Sequence, residues 1–205
     1  MFTGYKILEN IIPQHDQDII EAYVNTPSLE WRYTHNITGT FGNTIDTRVF
    51  PANVLTEEKI DSKILKIINT IQHNVCDILD VNFLKTYRCK INHTQPLDFD
   101  YNPNDLIHID MKINHLVVVY YINDSDGDTV ILNNSNGDSM DEVFKHINGV
   151  QNDCFTPMVS VKPKKGSVVI FNGNLYHYGD YPKINNRYVI NLDFAIKDKL
   201  ATKLI

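Results

Sequence analysis

An imidazole two residues from a carboxylate, His108-Ile109-Asp110, is the first place in this chain where residue types and spacing suit a metal ion. In an extended segment residues i and i+2 face the same side with Cα atoms about 6 to 7 Å apart, so both groups can converge on one cation. The pair alone is weak: with eight His in the chain, about 0.7 His-x-Asp triplets are expected by chance. Farther along stand a histidine in Tyr176-His177-Tyr178-Gly179 and, ten residues past it, Arg187 at the head of the apolar run RYVINLDF. A guanidinium there is chemically notable, because it is permanently charged and offers a carboxylate two parallel donors.

These side chains need a scaffold, and the hydrophobic pattern supplies two kinds. Over residues 16–23 and 56–79 apolar residues recur at helical spacing. In the second stretch Ile60, Ile64, Ile67, Ile68, Ile71, Val75 and Ile78 mark one face, and Thr56 is placed to cap the helix ahead of Glu57 and Glu58. From Phe83 onward the pattern changes to short β-rich runs, at 83–91, 108–111, 115–122, 129–132, 167–171 and 187–196, separated by Asn, Asp, Gly and Pro clusters. This predicts an antiparallel sandwich or barrel with the helices packed outside it, an α+β fold. Residues 133–157 read as a long polar connection holding a short helix around 141–146. No low-complexity linker divides the chain, which predicts one domain over 1–205, with helical support to about residue 82 and a β core over about 83–196.

With 205 residues, 42% of them hydrophobic and 21% charged, the chain has the composition of a folded domain and not of a disordered one. A net charge of −6 disfavours nucleic acid gripped by bulk charge. Cys76, Cys89 and Cys154 are too few and scattered for a disulfide framework or thiolate zinc site and read as reduced thiols. The first thirty residues lack the features of a secretory signal, and no window reaches the ~18 to 20 apolar residues of a spanning helix. The expectation is a soluble, cytoplasmic protein without a membrane partner; the sequence leaves its oligomeric state open.

Taken in order, several features form a series: His108-Ile109-Asp110; a strand ending Tyr120-Tyr121-Ile122-Asn123; a Gly-containing turn before Thr129; Pro163-Lys164-Lys165-Gly166 before an apolar strand; Tyr176-His177-Tyr178-Gly179; and Arg187. This series resembles the iron(II)- and 2-oxoglutarate-dependent dioxygenases, in particular their prolyl 4-hydroxylase-like branch, over roughly residues 83–196. The resemblance implies a double-stranded β-helix, also called a jelly roll or cupin-like fold, with N-terminal helices bracing one sheet. It implies His108, Asp110 and His177 as iron ligands, Arg187 as the anchor for the far carboxylate of 2-oxoglutarate, and Tyr121 as the tyrosine whose hydroxyl reaches that carboxylate. It also implies oxidative decarboxylation of 2-oxoglutarate to succinate and carbon dioxide with hydroxylation of a substrate, O2 as co-substrate and ascorbate as a candidate reductant. The donor set agrees with the resemblance, since two imidazoles and a carboxylate on one face of an ion leave adjacent positions open; zinc suits the same donors.

Strand alternation extends the set. If Arg187 points inward, so do Val189, Asn191 and Asp193, while Tyr188, Ile190, Leu192 and Phe194 pack outward. Asn191 then becomes a candidate co-substrate ligand, and Asp193 is expected at the barrel mouth near substrate, because a deeply buried carboxylate needs a partner. Arg88, Lys90 and Asn92 share one face, with Lys90 and Asn92 candidates for contact with co-substrate or substrate. His93, His115 and His146 are expected at the surface or in loops. The branch resemblance favours a peptidyl proline as substrate, with a small molecule fitting the same chemistry. The Asn-, Ile-, Lys- and Asp-rich composition is what an AT-rich genome encodes, and such compact hydroxylases also occur in viruses and phages. Two other readings use the same ligands: a non-catalytic metal-binding jelly-roll interaction protein, suggested by the departure Asp126-Gly127-Asp128-Thr129 from the family's turn, and a zinc hydrolase.

Overall fold

A computed structural model of the chain describes residues 4–34, 52–97, 101, 103–135 and 156–198. The elements run β1 (Tyr5–Leu8), α1 (Gln14–Val24), β2 (Arg32–Thr34), β3 (Ala52–Thr56), α2 (Ser62–Ile78), β4 (Val81–Thr94), β5 (Leu116–Tyr121), β6 (Thr129–Ser135), β7 (Pro157–Val161), β8 (Val168–Asn172), β9 (Leu175–Gly179) and β10 (Arg187–Asp198). Short 3-10 turns lie at Glu57–Lys59 and Pro103–Leu106. A seven-stranded sheet has the order β1-β8-β5-β10-β4-β3-β2, and a three-stranded sheet the order β7-β6-β9. All pairings are antiparallel. An isolated bridge between His108 and His177 adds a fourth position to the small sheet, beside β9. The two sheets form a jelly roll with helices on one side of the larger, the α+β fold expected.

The helices cover the outer face of the large sheet because both surfaces are apolar. From α2, Ile64, Ile67, Ile68, Ile71, Val75 and Cys76 pack into one core with Cys89 and Ile91 of β4, Val118 and Tyr120 of β5, and Ile190, Leu192 and Phe194 of β10. Each such aliphatic or aromatic side chain contributes about 1.5–3 kcal/mol when fully buried. The helix starts later than the residue pattern suggests. Asp61, not Thr56, is its N-cap and accepts a hydrogen bond from the Lys63 amide at 2.7 Å, while Thr56 precedes the separate 3-10 turn and makes no capping bond. A carboxylate at Ncap satisfies an amide that the helix leaves open.

The N-terminal region also contains strands where only helices were expected. β1 pairs with β8 at one edge, and β2 and β3 extend the sheet beyond β4 at the other. Runs of three to five residues are too short to show a period. His93, expected at the surface, is buried on the outer face, stacked on Tyr188 at 4.3 Å between ring centroids and 5.5 Å from Trp31. Alternation within the long β4 places it there beside Ile91 and Cys89, a placement its residue type conceals. The turn leading into β8 requires its glycine: Gly166 has φ +77°, and a Cβ there would overlap the Gln17 side chain. The expected helix at 141–146, His146 and Cys154 lie outside the described residues; Cys76 and Cys89 are buried, and burial pushes the Cys89 thiol up to about 12. Among the described residues no helix is long and apolar enough to cross a membrane.

Candidate metal centre and its cavity

His108 and His177 are brought together by backbone pairing. The His108 amide donates to the His177 carbonyl and the His177 amide to the His108 carbonyl, both at 3.0 Å. Directly opposed residues in an antiparallel pair project side by side, and the two imidazole centroids are 4.6 Å apart. The expected strand at 108–111 shrinks to this one bridge. After it the chain bends and carries Asp110 toward both rings, with its carboxylate 3.6 Å from His108 Nε2 and 3.4 Å from His177 Nε2.

The donor atoms of these three residues lie within 4.8 Å of one another. His108 Nδ1 contacts the Leu106 carbonyl at 2.7 Å and His177 Nδ1 the Leu175 carbonyl at 3.1 Å. A carbonyl can only accept, so each ring holds its proton on Nδ1 and presents the Nε2 lone pair inward. Burial lowers the proton affinity of His177. Burial raises that of Asp110, but the facing His108 and His177 rings and the charge of Arg88 outweigh it and hold its carboxyl well below the usual range. Two neutral imidazoles and an ionised carboxylate, with a buried Asp110 Oδ2 that lacks any conventional hydrogen-bond partner, fit a divalent cation.

Behind Asp110 lies a buried network that residue spacing does not reveal. Arg88 bonds Asp110 through Nη2 and Asp193 through Nε, the latter at 2.5 Å. Asp193 is fully buried, not at the mouth. Its partner need is met because β10 and β4 pair Asp193 directly with Arg88. Burial and the neighbouring Asp110 charge push the Asp193 carboxyl up to about 7. His115, expected at the surface or in a loop, stands in the loop just before β5 but is buried: its Nδ1 contacts the Ile113 carbonyl at 2.6 Å and its Nε2 lies 4.0 Å from Asp193. Alternation places Arg88 and Asp193 inward, but their meeting depends on register between strands a hundred residues apart.

A cavity of about 610 Å³, its mouth included, opens beside the imidazoles and is bordered by Lys90, Asn92, Asn191 and Arg187 among others. Arg187 is 6% exposed and donates from Nη2 to Thr129 Oγ1 at 2.8 Å; its Nε has no partner. Gly179 makes room for it, since a Cβ there would stand 3.2 Å from Nη1. Tyr121 is buried on the inner face with Val119 and Val189, and burial pushes its hydroxyl up to about 12 against the lowering influence of Arg187 and Thr129. Asn191 borders the cavity with its Oδ1 unpartnered. The structure therefore gathers His108, Asp110 and His177 at one point and places Arg187, Tyr121 and Asn191 on the inner face alongside.

No family model and no curated protein matches the sequence. Solved structures do match its fold. The non-haem 2-oxoglutarate-dependent carbocyclase SnoK of nogalamycin biosynthesis has a TM-score of 0.64 at 12% identity, over 99% of this chain and 87% of that one. An oxidoreductase of the 2OG-Fe(II) oxygenase family from Burkholderia pseudomallei has a TM-score of 0.60 at 15% identity, over 94% and 85%. A Pseudomonas putida prolyl-4-hydroxylase has a TM-score of 0.57 at 13% identity, over 94% and 92%. The chain thus has the jelly-roll fold of the iron(II)/2-oxoglutarate oxygenases, and at these identities the fold is what is shared.

Proposed function

We propose that the chain is an iron(II)- and 2-oxoglutarate-dependent dioxygenase, a hydroxylase of the prolyl 4-hydroxylase type acting on a peptidyl proline. The observation that carries this reading is the meeting of His108, Asp110 and His177 at one point of a cavity that also holds a buried arginine which, among the described residues, has no carboxylate partner. A metal site alone is shared with the zinc-hydrolase and binding-protein readings; a guanidinium buried beside it is costly unless a ligand brings the countercharge.

In this reading His108, Asp110 and His177 hold iron(II). The bound ion supplies the activation of dioxygen that couples decarboxylation of 2-oxoglutarate, giving succinate and carbon dioxide, to hydroxylation of a substrate C–H bond. Arg187 binds the far carboxylate bidentately, with Thr129 fixing one of its nitrogens. Tyr121, protonated because of its burial, donates to the same carboxylate. Asn191 bonds the co-substrate nearer the metal. Val119, Val189 and Leu106 along the cavity exclude water from the reacting centre. No side chain is needed as a general base, since no protein group has to take a proton from the substrate.

The test is anaerobic mixing of the protein with iron(II) and 2-oxoglutarate, followed by admission of oxygen. The chelate's weak visible charge-transfer band and then succinate are expected in the parent. His177→Ala is expected to lose the band, and Arg187→Ala to need far more 2-oxoglutarate to form it. Binding of iron with neither band nor succinate would hand the case to the non-catalytic reading. The prolyl part is drawn from the branch resemblance and from the fold shared with a prolyl-4-hydroxylase; the same fold carries a carbocyclase. It is tested with a proline-rich peptide, expected to stimulate succinate release and gain one oxygen at proline. Absence of that mass change would remove the prolyl assignment and leave the oxygenase reading intact.

A further inference from the structure

Two basic residues of β4 point to the inner face and differ in one respect. Arg88 is neutralised by Asp110 and Asp193. Lys90, two positions on and so on the same face, borders the cavity, and among the described residues its ammonium has no carboxylate or hydrogen-bond partner. Burial lowers its pKa, reinforced by Arg88 and opposed by Asp110 and Asp193. Its direct cross-strand partner on β10 is Asn191, and the next pair toward the strand's start is Asn92 opposite Val189. Asn92 and Asn191 are 6% and 8% exposed, and among the described residues neither has a partner for Oδ1.

One ammonium and two amides therefore share a patch of the cavity with hydrogen-bonding capacity that the chain itself leaves unused. An amide turned through 180° presents Nδ2 in place of Oδ1, so all three side chains can act as donors toward one anion. Arg187 serves a different place: it lies four positions from Asn191 on β10, about 13 Å of strand.

We propose that Lys90, flanked by Asn92 and Asn191, is a second carboxylate-binding site, on the metal side of the cavity. The carboxylate comes from one of two sources, the metal-side end of 2-oxoglutarate or a carboxylate group on the prime substrate. The inference rests on the dioxygenase reading only for naming these sources; the anion site itself is read from Lys90 and its neighbours.

The test uses manganese(II)-loaded protein, which binds without turnover, in the parent, Lys90→Met and Lys90→Arg. Calorimetry measures 2-oxoglutarate and 2-oxopentanoate, which keeps the metal-side carboxylate and lacks the far one. Carbon-13 acetate is then added to the 2-oxoglutarate complex, and its broadening by manganese is read. If the co-substrate fills the site, Lys90→Met weakens both keto acids about tenfold or more, as loss of a charge-assisted hydrogen bond predicts, and Lys90→Arg restores most of it. If the prime substrate fills it, keto-acid affinity is unchanged, and acetate broadening seen in the parent and Lys90→Arg is lost in Lys90→Met. A Lys90→Met protein matching the parent in all three measurements overturns the proposal. A parent that shows Lys90-dependent acetate broadening but no 2-oxoglutarate binding sinks the dioxygenase reading and leaves the anion site standing.

Discussion

Toward the helices β10 offers Tyr188, Ile190, Leu192 and Phe194; toward the cavity it offers Arg187, Val189, Asn191 and Asp193. The backbone is the same and the two rows interleave residue by residue, yet one is dry core and the other is largely polar. Among the described residues Arg187 Nε, Asn191 Oδ1 and Asp193 Oδ1 are buried with no conventional hydrogen-bond partner, whereas Ile190 and Phe194 are fully buried in the apolar core. Unpaired buried polar atoms destabilise a fold, and buried apolar area stabilises it. The outer row and α2 thus offset what the inner row costs, and that division lets a site with so many unmet polar groups persist. It follows that substitutions on the two rows should separate stability from ligand binding.

The largest stability effect is expected on the outer row. Phe194→Ala removes a fully buried ring and should cost about 3–5 kcal/mol in urea unfolding of the metal-free protein. Molecules that remain folded should bind metal with parental affinity; a parallel loss of affinity would show that the rows are not separable. His177→Ala tests the converse. It should lower metal affinity by more than about a hundredfold, beyond the loss typical of an outer-sphere partner. Its metal-free unfolding midpoint should fall much less than that of Phe194→Ala, which competition with a chromophoric chelator and a urea titration together would establish.

Asp193 gives a smaller effect with a defined sign. Its carboxyl titrates near 7 in the folded chain because burial and Asp110 disfavour the charge, a few units above a carboxyl's ordinary value near 4. Between those values the folded state holds a proton that the unfolded chain has released, so this group's contribution to stability falls as pH rises from about 4 to 7. Asp193→Asn removes that dependence. Comparing metal-free unfolding at pH 5 and 7.5, the parent should lose about 2–3 kcal/mol more than the variant. Equal losses would mean that Arg88 keeps Asp193 ionised throughout.

How much of this was legible in the sequence depends on distance along the chain. The alternation that sends Ile190 out and Asn191 in is written within a few residues, and so is the helical face of α2; both were readable. The β-rich runs pointed to an antiparallel sandwich or barrel, and the resemblance to the dioxygenases narrowed it to the jelly roll. What stayed hidden depended on register between remote strands. His108 and Asp110 were visible as a pair, but not the single bridge that seats His108 against His177. Asp193 was placed at the mouth because its partner Arg88 is 105 residues away and only the pairing of β4 with β10 joins them. The burial of His93 and His115 stayed hidden for a related reason: histidine carries no hydrophobic signal, and their burial is decided by Trp31, Tyr188 and Asp193, all supplied by other elements.

The smallest predicted effect sharpens the comparison from the helix side. Asp61 is exposed and far in the chain from every cavity residue, and its side chain accepts the Lys63 amide at the start of α2. Asp61→Ala leaves that amide to water and should cost about 1 kcal/mol, with Asp61→Asn restoring most of it, since both side chains cap helices well. Because α2 packs only on the outer face, through Ile64, Ile67, Ile68 and Ile71, loosening its first turn should leave manganese(II) and 2-oxoglutarate affinities within twofold of the parent. A larger drop would mean that the position of β4, which α2 braces through Cys89 and Ile91, sets the inward reach of Arg88 and Lys90. The outer row would then act on the site by aiming those side chains as well as by holding the sheet together.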